Sequence, residues 1–379
     1  MMELNCLCDI YSGYAFKSFN DTSDGIPVIK IGNILSDGTI ELTDCVYTEE
    51  VPKEKYYSKK DDIYIALSGA TTGKIGVMQT DGLYVINQRV GIIRNKGKIP
   101  NDYLKYFLVS KSNQILKEAS GCAQPNISPK QISKYDISIQ TEEKMLLITQ
   151  QLKKIEVILQ NYRNQIDLLD ELVKARFVEL FGDPATNEYN WPMLNLENVS
   201  SIITYGLTVR PTYVNKGIDL ISARELHKGF IEYEVAPKIS FNDFQSLSDK
   251  GKPLKNDILF SKTGSIGHCA LVDTDKMFAI TQNAARLGLI IEKVNPVWLL
   301  YYLRMNYIQD WCKRHAKGNA VKDLQLKDIK AIPLFECPLE LQNQFADFVK
   351  EVDKSRLEVQ KSLKKTQELF DSLMQKYFG

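Results

Sequence analysis

The sequence has no Pro-Pro pair, no Cys-x-x-Cys spacing, only three histidines and no apolar run approaching the roughly 18 residues that a membrane span requires. Each absence removes a class of protein. Without a long apolar run, and with a start from Met1 to Ile10 too short and too acidic for a secretory signal, the chain is expected in the cytoplasm and not in a membrane. Seven cysteines (Cys6, Cys8, Cys45, Cys122, Cys269, Cys312 and Cys337) are an odd number without metal-ligand spacing, so reduced and mostly buried thiols are expected instead of disulfides or zinc. His227, His268 and His315 lie far apart, with no His-x-x-x-His pair, which leaves metal hydrolysis and a nucleophilic triad without support. His268 sits next to a glycine turn and is expected there as an exposed turn residue. The segment Gly69 to Ile75 resembles a phosphate loop, but one residue is missing between its glycines and Ile75 stands where Ser or Thr would hold magnesium. Glu142-Glu143-Lys144 and Asp328-Ile329-Lys330 carry carboxylate-x-Lys triplets that arise by chance in any charged chain. Forty-eight basic against 47 acidic residues give a net charge of +1, which excludes a uniformly basic surface and leaves a local basic groove open.

What the sequence does have is a long internal repeat. The pattern from Thr141 to Gly182 returns from Pro338 to Gly379, and Phe181-Gly182 and Phe378-Gly379 close the two copies at an offset of 197 residues (378 − 181). A period that long excludes a solenoid of short repeats and leaves room for a globular domain in each copy. The expected organisation is a first globular segment at 1–140, a helix at 141–182, a second globular segment at 183–337 and a second helix at 338–379.

In the first helical segment Ile148, Leu152, Ile155, Leu159, Tyr162, Ile166, Leu169, Val173 and Leu180 recur in alternating steps of four and three, interrupted only by Arg176. In the second, Phe345, Val349, Val352, Val359, Leu363, Phe370, Leu373 and Tyr377 do the same, with Arg356 and Thr366 as interruptions. A heptad seam needs a partner helix, and the simplest partner within one chain is the other copy, packed as an antiparallel coiled coil. Neither interior contains Gly or Pro, Thr141 precedes Glu142-Glu143, Pro338 suits a first turn, and Gly182 is followed by Pro184. Six basic against seven acidic residues in 141–180, and seven of each in 338–378, make these helices poor phosphate binders. At 1.5 Å per residue, about 40 residues span about 60 Å, a spacer length.

The two globular segments run through the same cues in the same order. Each opens on an aromatic-Gly loop (Tyr11-Ser12-Gly13-Tyr14 and Tyr205-Gly206-Leu207-Thr208), followed by an alternating strand. Asp62-Ile63 then leads to Thr72-Gly73-Lys74-Ile75-Gly76, and Asp257-Ile258 to Thr263-Gly264-Ser265-Ile266-Gly267, a spacing of 11 against 7 that predicts a four-residue insertion. Asn87-Gln88-Arg89 and Gln282-Asn283 come next, then aromatic helices, then the polar loops Gly121 to Asn126 and Lys317 to Lys322. Short strands, glycine turns and a few helices predict two mixed α/β domains, hence an α+β chain with a pseudo-two-fold repeat. The loops are rich in side chains that bind phosphate or read base edges, since Gln and Asn pair bidentately with adenine and Arg with guanine. Taken singly, such residues are better explained by the solvation of turns. Their recurrence in both segments with different side chains favours two readers of different short sequences.

With the duplicated unit, the Thr-Gly-x-Ile-Gly turns, the Gln/Asn-rich strand ends and helices closing on Phe181-Gly182 and Phe378-Gly379, the whole chain resembles the specificity subunits of type I restriction-modification systems. The motifs are individually weak, and their repeated order carries the resemblance. It implies two target recognition domains, each reading one half of a split site on double-stranded DNA, with the long helices setting the spacer and docking two methyltransferase subunits, joined where present by restriction subunits. It implies a non-catalytic chain without a cofactor of its own, S-adenosylmethionine being bound by the methyltransferase and ATP with magnesium by the restriction subunit. Few residues precede Tyr11, so the N-terminal segment that pads the helix bundle in longer relatives is expected to be short or missing. The DNA-contact candidates are Thr72, Lys74, Gln88, Arg89, Gln124 and Asn126 in the first domain, and Arg210, Thr263, Ser265, Gln282, Asn283, Asn319 and Lys322 in the second.

Two other readings stand beside this one. A coiled-coil adaptor would use both globular heads to bind proteins and never touch DNA. A self-contained modification enzyme would need a catalytic Asn/Asp-Pro-Pro-aromatic tetrapeptide, which the missing Pro-Pro pair disfavours.

Overall fold

The computed structural model describes residues 1–20, 24–119, 125–209, 211–318 and 321–379. The chain divides into two compact units, Met1–Arg163 with Lys361–Gly379 and Asn164–Gln360, so both long helices contribute to each unit. Among the described residues no helix is long and apolar enough to cross a membrane.

The first unit runs β1 (Met2–Glu3), β2 (Cys8–Ser12), β3 (Ile26–Ile29), β4 (Val46–Thr48), β5 (Ile63–Ala66), β6 (Ile75–Val77), β7 (Val85–Ile86), β8 (Val90–Asn95), α1 (Asn101–Ser110), α2 (Ser112–Ala119), α3 (Pro129–Ile132), β9 (Asp136–Ile137) and the long helix α4 (Glu142–Phe181). An antiparallel sheet ordered β2-β8-β5-β6 carries the unit, and β4-β3-β7 forms a second, smaller sheet in which β3 and β7 run parallel. Every residue of β5 is buried, because the sheet is covered on both faces. Ile63 and Ile65 face Tyr103, Leu104 and Phe107 of α1, while Tyr64 and Ala66 face Ile29 and Ile86 of the smaller sheet. Asp62, just before β5, takes two hydrogen bonds from Arg94 at 2.6 and 2.7 Å.

The second unit repeats this order: β10 (Met193–Asn195), β11 (Ser200–Tyr205), β12 (Tyr213–Val214), β13 (Ile218–Ile221), β14 (Lys238–Ile239), α5 (Phe241–Ser246), β15 (Ile258–Ser261), β16 (Cys269–Leu271), β17 (Phe278–Ile280), β18 (Ala284–Leu289), α6 (Pro296–Arg304), α7 (Asn306–His315), α8 (Leu326–Lys330), β19 (Pro333–Phe335) and α9 (Leu339–Phe378). Its sheets, β11-β18-β15-β16 and β12-β14-β13-β17, match those of the first unit, with an added edge strand, β12. Ile258 and Phe260 meet Trp298, Leu299 and Tyr302 on one face, and Leu259 meets Ile221, Phe278 and Ile280 on the other. The pairing of β10 with β19 matches that of β1 with β9. The duplication expected from the helices therefore extends through the whole α+β fold.

One glycine in each unit allows the layers to meet. A Cβ on Gly13 would run into the carbonyl of Ile86, and a Cβ on Gly206 into that of Ile280, so the loop after the first long strand can cross the smaller sheet only where the side chain is hydrogen.

Helices α4 and α9 pair antiparallel. In the second unit Asp170 meets Arg356 at 2.5 Å and Phe177 stacks edge-on to Phe345. In the first, Tyr377 donates its hydroxyl to Gln151 at 2.9 Å. Thr141 caps α4 by accepting the Lys144 N–H at 3.4 Å, and Gly182 ends it in the left-handed region at φ 77°. Of the expected seam, Ile148, Leu152, Leu159, Val173, Phe345, Val349 and Val352 are buried, and Ile155, Tyr162, Ile166, Leu169, Leu180, Val359, Leu363, Phe370, Leu373 and Tyr377 are half-buried. The heptad does not hold to the ends. Past Val173 the buried positions are Phe177 and Phe181, and past Phe370 they are Met374 and Phe378. Each stripe widens to steps of four because its last turns pack into a globular core as well as against the partner helix.

Candidate nucleic-acid interface

At one end of each four-stranded sheet, three loops meet around a single residue. In the first unit this is Leu67, which donates its N–H to Arg89 at 2.9 Å and accepts the Ile127 N–H at 2.9 Å, while Gly69 donates to Pro125 at 3.1 Å. In the second unit Lys262 donates to Asn283 at 3.0 Å and accepts from Leu324 at 2.7 Å, while Gly264 donates to Lys322 at 2.8 Å. Isolated bridges join Ser68 to Asn126 and Thr263 to Asp323 at the same place. Both junctions are therefore one backbone arrangement carrying different side chains.

These hydrogen bonds correct the expected correspondence of the glycine turns. Gly73 donates to Ala66 at 2.9 Å as Gly267 donates to Ser261 at 3.0 Å, and Gly69 answers to Gly264. All four have φ between 82° and 97°, the conformation that selects glycine. The Thr-Gly-x-Ile-Gly strings are thus out of step with each other. Four residues separate the paired glycines in the first unit (73 − 69) and three in the second (267 − 264), so the units differ here by one inserted residue and not by four.

In the first unit the junction gathers Gln88, Arg89 and Asn126, all exposed, with half-buried Lys74 on the adjoining turn. Thr72 is buried and turned inward, its hydroxyl donating to Gly69 O at 2.7 Å, so it closes the turn. In the second unit Gln282, Ser265 and Lys322 are exposed and Asn283 is half-buried. Thr263 donates its hydroxyl to Asp323 at 2.5 Å, and Lys262 reaches the same carboxylate at 2.6 Å. Burial works against charge on Asp323, but the hydrogen bonds from Lys262 and Thr263 outweigh it and hold the carboxyl below its ordinary range. Gln124, Arg210 and Asn319 lie outside the described residues. His268, expected as an exposed turn residue, is half-buried, and burial first and the neighbouring His227 second push its pKa down.

Sequence reasoning missed Lys262 and Asp323, which stand 61 residues apart. It also missed a buried pair, Arg286 on Asp257 at 2.6 Å, which performs in β18 what Arg94 and Asp62 do in the first unit from a strand position two residues further on. The outer faces of the long helices leave Leu146, Leu147, Val157 and Ile158 exposed in the first unit, and Leu168, Leu172 and Leu357 in the second.

The family model described as the type I restriction modification DNA specificity domain matches residues 1–174 and 209–369. The type I restriction enzyme EcoBI specificity subunit of Escherichia coli is 24% identical over 412 residues, covering 100% of this chain and 85% of that protein. The S subunit of the type I restriction-modification system of M. genitalium aligns with a TM-score of 0.55 at 14% identity, over 100% of this chain and 95% of that one. A chain from a structure reported for complex assembly and conformational transition of a type I restriction-modification system aligns with a TM-score of 0.55 at 16% identity, over 100% and 96%. At such identities the two structures speak for the fold.

Proposed function

The chain belongs to the family of type I restriction-modification DNA specificity subunits, and from that membership we propose that it is the sequence-reading subunit of a DNA-methylating complex. Each globular head reads one half of a split site on double-stranded DNA, and the paired helices set the spacer between the halves. One observation supports this reading above others: the same loop junction is built twice, with exposed polar side chains that differ between the copies. Two equal scaffolds with unequal side chains suit two unequal half-sites.

The exposed leucines and valines of α4 and α9 offer apolar surface to two methyltransferase subunits, one beside each repeat. In this reading the chain is non-catalytic. S-adenosylmethionine is bound by the methyltransferase subunit, and ATP with magnesium by the restriction subunit where one joins the complex.

The test is reconstitution with the cognate methyltransferase. Binding to DNA should weaken steeply as salt rises, through counterion release, and methylation should fall on a two-part motif with unread base pairs between its halves. Heads that bind proteins and show no salt-dependent DNA association would make the chain an adaptor. Methylation by the purified chain with cofactor alone would move the chemistry into it.

A further inference from the structure

In both units one β-turn of the junction meets what base reading demands of a side chain. Such a group has to be at least partly open to solvent, free of partners in its own protein and carried on backbone already in place before binding. The turn has Gln88-Arg89 at its corners in the first unit and Gln282-Asn283 in the second, closed by the Val90 N–H on Asn87 O at 2.9 Å and the Ala284 N–H on Thr281 O at 3.2 Å. It is pinned on both sides. Asn87 and Thr281 donate to Ile29 and Ile221 of the smaller sheets, and the carbonyls of Arg89 and Asn283 take the N–H of Leu67 and Lys262. Gln88, Arg89 and Gln282 are exposed, Asn283 is half-buried, and none has a side-chain hydrogen bond or ion pair among the described residues. Thr72, Thr263 and Lys262, by contrast, are engaged with the protein's own atoms.

The side chains around the turn differ between the units: Leu67 stands where Lys262 does, Pro125 where Lys322 does, and Asn126 where Asp323 does. The first corner alone is glutamine in both. A shared exposed side chain at a fixed backbone position, amid neighbours that vary, indicates a task common to both heads.

We propose that this turn is the base-reading element of each head, that its shared glutamine reads an adenine in each half-site, and that the second corner sets the difference, Arg89 requiring guanine in one half-site and Asn283 adenine in the other. The chemistry follows from the groups. A carboxamide presents the donor and acceptor that match N7 and N6 of adenine, and a guanidinium presents the two donors that match O6 and N7 of guanine. The inference rests on the reading of the chain as a DNA specificity subunit and adds the residues that do the reading.

The experiment maps adenine methylation across a genome by the full complex carrying wild-type chain, Gln88→Ala, Arg89→Asn or Asn283→Arg. Arg89→Asn should weaken a guanine preference at one position of one half-site by about 5- to 150-fold, the worth of one bidentate pair, and leave the other half-site as it was. Asn283→Arg should alter only the opposite half-site, and Gln88→Ala should relax an adenine in the half-site that Arg89 reads. The untouched half-site reports in each case that the variant is folded. An unchanged motif overturns the proposal. So does a uniform loss over all sequences with a salt slope shallower by about one charge, which would make Arg89 a phosphate contact. A wild-type complex that marks no split motif would overturn the functional reading itself, and this inference with it.

Discussion

The smaller sheet of the second unit encloses Asp219, which is buried and held by Lys238 and by Lys276 at 2.5 Å, whereas the matching strand position of the first unit is Pro27. The buried carboxylate before the central strand is met by an arginine in both units, yet from strand positions two residues apart, and Gly288 stands where Arg94 does. The three main-chain hydrogen bonds that join the junction's loops, by contrast, agree one for one. The duplicated fold is kept by main-chain hydrogen bonding and by the alternation of buried apolar residues, while polar pairs are replaced freely provided each buried charge keeps a partner. That freedom lets two heads of one architecture differ in what they present.

The two units should separate most clearly when their cores are cut. Phe177 is fully buried against Phe181, Trp298 and Phe345, and Phe177→Ala should cost about 3–5 kcal/mol of the second unit's stability in urea denaturation. Trp191, Trp298 and Trp311 all lie in that unit, so tryptophan fluorescence follows it alone. Phe378→Ala, which empties a site between Tyr103 and Phe107 of the first unit, should leave the fluorescence transition in place while far-UV circular dichroism loses stability. Equal shifts in both signals would mean that the units melt as one. A smaller effect is expected at the buried pairs. Arg286→Ala leaves Asp257 uncompensated and Arg94→Ala does the same to Asp62, at a cost of about 3 kcal/mol each, since the stranded carboxylates are only 8% and 2% exposed. Burial already raises the Asp257 carboxyl, with the Leu254 N–H and Arg286 opposing it, so loss of Arg286 raises it further. The Arg286→Ala deficit should therefore shrink as pH falls through the carboxylate range and the acid becomes neutral. The smallest effect belongs to Asp323→Ala, about 1 kcal/mol or less, since that carboxylate is 39% exposed. A loss of several kcal/mol there would make the Lys262 pair a structural element that the first unit, with Leu67 and Asn126, manages without.

Much of this architecture was legible in the sequence. The long helices announced themselves through seam periodicity, Thr141, Pro338 and the two closing glycines, because helix signals are local. The shared order of cues along the two globular segments was legible through its repetition, whereas the order of strands within their sheets was not. The matching of Thr72-Gly73 to Thr263-Gly264 failed because turn glycines answer to a φ requirement, and sequence likeness around them does not reveal which carbonyl they face. Lys262 and Asp323 left no local trace, being brought together only by the bridge between Thr263 and Asp323. Phe177 and Phe181 escaped a strict heptad because the end of α4 serves two partners at once.

If the paired helices set the spacer, as proposed, lengthening both together should lengthen it. Seven residues in heptad register, inserted after Arg163 in α4 and after Gln360 in α9 where the two compact units divide, add about 10 Å of helix, or about three base pairs at 3.4 Å each. The methylated motif of the reconstituted complex should keep both half-sites and gain about three unread base pairs between them. An active complex that still marks the original spacing would mean that the helices do not set it.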